Sequence, residues 1–168
     1  MTKVHYKIVN EIVEKYKNDR SIIAIALFGS LARKEERPDS DVDIEIISAN
    51  AKEWELLKKK KYGIEIDLVI CPKKHLIYQM EKYPYLCYSY LSEKIIYDSE
   101  GFMKEVKKKL KGYFDKHPDI VKFWEKKYEI MKENKAKGQD PKDAIKSYNE
   151  AEILFSDEHK VTRDFFRE

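Results

Sequence analysis

The sequence predicts an α/β fold with a C-terminal helical region. Up to about residue 100, stretches with helical spacing of apolar residues alternate with short apolar or alternating stretches that are typical of strands. After that point only helical spacing remains. The two patterns together favour a domain of mixed strands and helices followed by a region of helices alone. The chain has 168 residues, enough for a sizeable core. We therefore expect a catalytic-type α/β domain in residues 1–100 and a helical region in residues 101–168.

The first elements alternate as an α/β fold requires. Apolar residues at helical spacing predict a helix over residues 3–18, with Thr2 as its N-cap. The continuous apolar run at 22–28 is typical of a buried strand, and Gly29 ends it. Residues 30–34 are then expected to begin a short helix. A turn rich in proline, aspartate and serine separates this helix from the next apolar stretch.

The middle of the chain continues the alternation. Residues 42–47 and 64–70 each alternate apolar and polar side chains, which predicts two strands with one face towards the core. Between them, residues 51–61 are rich in lysine, glutamate and leucine, and we predict a polar helix. Residues 73–92 are expected to form one or two helices interrupted near a proline, and residues 94–97 a short strand.

Three helices are expected in the C-terminal region. The first covers residues 102–114, and the second has Pro118 in its first turn. A break at residues 137–141 precedes the third, which starts at Asp140-Pro141. The aromatic side chains of this region are spaced as in packed helices, so we interpret them as core or interface.

Acidic residues on two predicted strands are the main candidates for chemistry. Asp41 and Asp43 lie one residue apart, on the same side as each other and opposite the apolar residues that follow them. Asp67 lies on the polar face of the later strand. If the two strands are neighbours, three carboxylates converge, and such a group is costly unless a cation neutralises it. Mg²⁺, which prefers oxygen ligands completed by phosphates, is the expected ion, and two such ions would suit an in-line displacement.

Gly29 and Ser30 follow the buried strand and are candidates for binding phosphate. Glycine lets the backbone approach a phosphate closely, and the serine hydroxyl can donate a hydrogen bond. Arg33 and Lys34 come next and could neutralise phosphate charge. Together with the aspartates, these residues favour a nucleoside triphosphate as substrate.

The series Leu27-Phe28-Gly29-Ser30, ten residues, Asp41-x-Asp43 resembles the signature of the DNA polymerase beta-like nucleotidyltransferase superfamily, and most closely its minimal, antitoxin-type branch. The resemblance implies a small mixed sheet flanked by helices and ATP as the donor. By residue, it implies that Gly29 and Ser30 bind the triphosphate, that Asp41 and Asp43 bind both metal ions, and that Asp67 completes the site. Many members have a second glycine a few residues after the first; this chain has none there.

The acceptor of the nucleotide stays open at the level of sequence. Minimal members of the superfamily often transfer AMP to a tyrosine of a helical toxin partner, whereas others modify hydroxyls of antibiotics. A third hypothesis is a non-catalytic antitoxin that keeps the fold. The helical region at residues 101–168 could bind substrate, a partner or a second copy of the chain.

Composition narrows the possible surroundings and partners of the protein. The formal net charge of +3 does not favour nucleic acid as a partner. No apolar run approaches the length of a membrane span, and the N-terminus has no apolar signal region. We therefore expect a cytoplasmic protein that does not insert into membranes.

Overall fold

A five-stranded mixed sheet organises the first part of the chain. The computed structural model describes residues 1–138 and 142–156. In the sheet the order is β3-β4-β2-β1-β5, with β2 and β4 parallel and the other neighbours antiparallel. The expected small mixed sheet with flanking helices is thus confirmed. The strands are β1 (Ile22–Leu27), β2 (Val42–Ser48), β3 (Glu55–Lys61), β4 (Ile64–Pro72) and β5 (Lys94–Asp98).

Helices form the other regular elements of the described chain. Two short 3-10 helices, Pro84–Leu86 and Tyr88–Ser92, precede β5. None of the helices in the described residues is long and apolar enough to cross a membrane. The α-helices are α1 (Lys3–Tyr16), α2 (Gly29–Arg33), α3 (Lys73–Lys82), α4 (Phe102–Asp115), α5 (Pro118–Ala136) and α6 (Lys142–Phe155).

One face of the sheet packs on α1. The helix begins at the N-cap Thr2, and its Ile8 and Val9 are buried against alternate residues of the central strands. All six residues of β1 are buried, as the continuous apolar run predicted. Because Val42 and Ile44 turn into this core, the intervening residues of β2 must face the opposite side of the sheet.

The segment predicted as a polar helix at 51–61 contains no helix, and residues 55–61 form the edge strand β3, so that prediction was wrong. Its lysines, glutamates and leucines favour a helix intrinsically, but pairing with β4 decides the structure. A two-residue turn, Tyr62-Gly63, joins β3 to β4, and both residues have positive φ (52° and 80°). That conformation is typical of a tight β-hairpin, in which glycine is favoured.

The chain divides into two compact units. The first comprises residues 1–77 and 89–107, and the second comprises residues 78–88 and those after 107. Within the second unit Trp124 is buried, and its Nε1 donates a 2.7 Å hydrogen bond to the carbonyl of Tyr85. The ring of Tyr148 packs 5.0 Å from the Trp124 ring, centroid to centroid, so the aromatic residues form a core here. The helix start predicted at Asp140-Pro141 lies outside the described residues.

Candidate functional site

Asp43 and Asp67 are direct neighbours across two parallel strands. The strands β2 and β4 pair in a register that places Asp43 opposite Asp67, so the expectation that these strands are adjacent is confirmed. Both aspartates face away from the α1 core, and both are partly exposed. Two carboxylates therefore lie side by side on one partly exposed face of the sheet.

Asp41 lies at the mouth of this face rather than within the strand. It precedes β2 by one residue and is exposed. Within the described part of the chain, no three histidine, cysteine, aspartate or glutamate side chains are gathered closely enough to hold a metal ion. The structure therefore brings Asp43 and Asp67 side by side but does not gather them with the exposed Asp41 into a set of three metal ligands.

The backbone of Gly29 lies directly against the carboxylate of Asp43. The N–H of Phe28 donates a 3.0 Å hydrogen bond to the carbonyl of Asp43, which fixes the end of β1 to β2. Gly29 has φ +66°, and a Cβ atom at this position would lie 2.0 Å from Oδ2 of Asp43. Only glycine can combine this backbone conformation with so close an approach. Gly29, the predicted phosphate-binding residue, and Asp43, the predicted metal ligand, are therefore direct neighbours in the structure.

The remaining predicted phosphate ligands lie on and after α2. Ser30 is partly exposed, next to Gly29, whereas Arg33 is exposed and its Nε lies 3.1 Å from Oε2 of Glu35. Lys34 ends the helix with φ +59°, a left-handed conformation that glycine adopts without steric cost. Lys34 therefore stands in a glycine-like conformation in the stretch where the sequence lacks the superfamily's second glycine.

A lysine that sequence reasoning did not connect with the site lies beside Asp67. Lys58 is the cross-strand partner of Asp67, and its Nζ is 3.2 Å from Oδ2 of that aspartate. It was missed because its segment was taken for a helix. The glycine of Tyr62-Gly63, between two stretches of similar length, is the signal that could have indicated a hairpin.

The donor atoms of this site suit a hard divalent cation. The aspartates offer only carboxylate oxygens, which are the ligands that Mg²⁺ prefers. The Asp43 carboxylate lies so close to the Gly29 backbone that a Cβ has no room there, so the backbone itself borders the carboxylate oxygens. The residues present therefore fit the metal and triphosphate that the sequence predicts.

Comparison with known proteins identifies the family. The model of the nucleotidyltransferase domain matches residues 5–97, which is more than half of the chain and includes every predicted site residue. The chain belongs to the nucleotidyltransferase domain family. A relative from Methanocaldococcus jannaschii, named "putative protein adenylyltransferase", is 28% identical over 141 residues, covering 76% of this chain and 95% of the relative.

A solved structure shares the fold of this nucleotidyltransferase. It is a nucleotidyltransferase-like protein from Exiguobacterium sibiricum, with a TM-score of 0.51 and 13% sequence identity. The match covers 85% of this chain but only 51% of that one, so the chain spans about half the length of that protein. At this identity the likeness supports the fold alone.

The nucleotidyltransferase domain also carries two buried acids, Glu45 in β2 and Glu93 just before β5. Burial raises the pKa of Glu45 to about 7, although a 3.4 Å hydrogen bond from the Tyr90 hydroxyl acts in the opposite direction. Burial and the neighbouring Glu45 also raise the pKa of Glu93 well above its ordinary value. One oxygen of each carboxyl has no hydrogen-bond partner within the described residues. Strand alternation predicts the face of Glu45, but nothing in the sequence indicates its burial.

His5 supports the loop that leads to Asp41. It is fully buried, and its Nδ1 accepts a hydrogen bond from the N–H of Thr2 (3.2 Å). With Nδ1 as acceptor, Nε2 carries the proton and donates to the carbonyl of Ser40 at 2.9 Å. The ring therefore ties the start of α1 to the residue before Asp41. A threonine N-cap with a side chain three residues later that bonds back to it is the sequence signal for this arrangement.

Proposed function

We propose that this nucleotidyltransferase transfers AMP from ATP to a hydroxyl group of a protein. The observation that carries the proposal is the pairing of Asp43 with Asp67 on one open face, with the Gly29 backbone against Asp43. The name of the M. jannaschii relative supports both adenylyl transfer and a protein acceptor. A helical toxin partner, as in the antitoxin-type branch, is the form of acceptor that we propose.

In this proposal the aspartates hold two Mg²⁺ ions. Asp41 and Asp43 would hold the ions, and Asp67 would complete the site and help to activate the attacking hydroxyl. The chemistry supplied by bound Mg²⁺ is neutralisation of the triphosphate and stabilisation of the leaving pyrophosphate. Because the exposed Asp41 is not gathered with Asp43 and Asp67 into a set of three ligands, the aspartate side chains would have to rearrange when the ions bind.

The loop after β1 binds the donor in the same scheme. The Gly29 backbone approaches the triphosphate, and the Ser30 hydroxyl donates a hydrogen bond to it. Arg33 and Lys34 neutralise the charge of the triphosphate. Arg33 has to leave its ion pair with Glu35 in order to bind phosphate. We propose further that residues 1–100 carry this chemistry and that residues 101–168 contribute a surface for substrate, for a partner protein or for a second copy of the chain.

Transfer of label from ATP tests the proposed function. The purified protein is incubated with Mg²⁺ and ATP labelled at the α-phosphate, first with a co-expressed partner protein and separately with aminoglycoside antibiotics. We expect label on the protein, and none with ATP labelled only at the γ-phosphate. Label on the antibiotic alone would replace the proposed acceptor by a small molecule.

A matched pair of variants separates chemistry from folding. Asp43→Asn keeps the size of the side chain but removes the charge, and we expect transfer to fall by at least a hundredfold. Asp39→Asn makes the same change on an exposed turn, where Asp39 contacts Arg37 at 3.6 Å, and should transfer as the wild type does. Equal activity of the two variants would contradict an active site at Asp43.

A further inference from the structure

The outer face of the edge strand β3 adjoins the proposed site. Lys58 and Lys60 lie opposite Asp67 and Glu65 in the register with β4, whereas the intervening Leu57 packs on the core. Alternation therefore places the even-numbered residues of β3 on the same face as Asp67. We call three of these residues, Leu56, Lys58 and Lys60, together with Trp54, which comes directly before β3, the edge strip.

The edge strip combines exposed apolar surface with positive charge. Trp54 is 50% exposed and Leu56 is 40% exposed, and the Lys58 side chain is 72% exposed. Lysines on an edge strand commonly prevent pairing with other sheets. That explanation does not account for a large aromatic and a leucine in the same line, because exposed apolar residues make an edge more adhesive. Tryptophan is among the residues that contribute most to protein interfaces.

The edge strip lies on one definite side of the reaction. The end of β1 and Gly29 flank Asp43 on one side, and β4 with Asp67 flanks it on the other, followed by β3. In an in-line displacement the attacking oxygen enters opposite the leaving group. If the proposed function is right and Gly29 binds the triphosphate, the acceptor must approach from the side of Asp67 and Lys58.

We propose that the edge strip binds the acceptor, and that the acceptor is a polypeptide segment in which acidic and apolar side chains flank the reacting hydroxyl. The apolar side chains lie on Trp54 and Leu56, and the acidic ones pair with Lys58 and Lys60. In the structure Lys58 pairs with Asp67. When Asp67 gives its carboxylate to a metal ion, the Lys58 ammonium becomes available to the acceptor.

Charge argues for a peptide over a nucleic acid on this surface. Glu65 and Asp67 lie in the neighbouring strand, on the same face as the two lysines. A nucleic-acid backbone carries closely spaced phosphates, and its binding depends on several cations at once. Two lysines with carboxylates beside them suit a few well-placed acidic side chains better than a continuous row of phosphates.

Peptide binding tests the inference independently of catalysis. Two fluorescein-labelled peptides of equal length are used, each with one tyrosine and one leucine, flanked in one by aspartate and glutamate and in the other by lysine. Fluorescence anisotropy at low salt gives their affinities for the full-length protein. We expect the acidic peptide to bind at least about tenfold more tightly than the basic one and to lose affinity as salt is raised.

The chain offers a closely matched control for charge. Lys60→Glu and Lys59→Glu change the net charge equally on adjacent residues of opposite faces. We expect Lys60→Glu to weaken binding of the acidic peptide about fivefold or more and Lys59→Glu to weaken it less than twofold. Trp54→Ala should cost about tenfold or more, as expected for an interface aromatic.

Several results would overturn the inference. The first is an equal loss of affinity for the acidic peptide in Lys59→Glu and Lys60→Glu. The second is equal affinity of the wild type for both peptides, or no saturable binding of the acidic one. The third is that a labelled RNA oligonucleotide binds more tightly than the acidic peptide and that Lys60→Glu weakens this binding. Binding of ATP with Mg²⁺ to the wild type, measured separately by calorimetry, tests the proposed function. If the wild type does not bind ATP with Mg²⁺ but still prefers the acidic peptide to the basic one, the proposed donor chemistry is rejected and the edge strip remains a peptide-binding surface.

Discussion

Replacing Gly29 by alanine should disable the site while leaving the protein folded. The backbone at Gly29 has φ +66°, which costs an ordinary L-residue about 1–2 kcal/mol. The new Cβ would lie 2.0 Å from Oδ2 and 2.9 Å from Cγ of Asp43, whereas ordinary contacts are at least 3.4 Å. The carboxylate must therefore move by more than about 1 Å, a displacement that can reduce catalysis about a hundredfold.

Gly63→Ala is the matched control for Gly29→Ala. Gly63 also has positive φ (+80°), but no atom lies within 4 Å of the position that its Cβ would take. Both variants should lose about 1–2 kcal/mol of unfolding free energy, measured by urea denaturation followed by circular dichroism. Only Gly29→Ala should lose ATP binding and AMP transfer. Retention of ATP binding by Gly29→Ala within threefold of the wild type would refute the argument from close approach.

Three further predictions concern stability. His5→Ala removes two buried hydrogen bonds and leaves a cavity, so urea denaturation should show a loss of about 2–4 kcal/mol; a loss under 1 kcal/mol would show that the ring does not hold the loop. In α4 the exposed Gly112 has open space where a Cβ would lie, so Gly112→Ala should raise the unfolding free energy by about 0.5–1 kcal/mol, and a decrease would argue against the helix there. The buried acids stay protonated in the folded state, whereas in the unfolded chain they lose their protons above about pH 4.5. The free energy of unfolding should therefore fall as the pH rises from about 4.5 towards 7, the pKa of Glu45 in the folded state. Glu93→Gln, which carries no charge to bury, should therefore gain stability over the wild type at pH 8 but not at pH 5, and an equal difference at both pH values would exclude this linkage.

Strand alternation was sufficient to predict the face of the sheet on which Asp43 and Asp67 lie. Because Val42 and Ile44 are apolar, the sequence already assigns Asp43 to the opposite face, and the same holds for Asp67 between Ile66 and Leu68. What alternation cannot supply is which strands are neighbours and in what register. Those depend on the packing of the whole sheet, and they determine that Asp43 stands beside Asp67.

Local propensity misled the prediction where tertiary pairing decides the structure. Residues 51–61 consist largely of good helix formers, yet residues 55–61 form β3 because β4 offers an open edge and Tyr62-Gly63 makes a tight turn. Lys58 and the rest of the edge strip were hidden by this error. His5 was overlooked because its contact with Ser40 joins segments that are distant in sequence.

Binding of ATP in the presence and absence of Mg²⁺ tests the central claim most directly. Isothermal titration calorimetry is carried out on the wild type, Asp43→Asn and Asp39→Asn. The account predicts that Mg²⁺ tightens ATP binding in the wild type and in Asp39→Asn, and that Asp43→Asn loses most of this effect. Equal dependence on Mg²⁺ in all three proteins, or none in the wild type, would contradict a metal-assisted nucleotide site at Asp43.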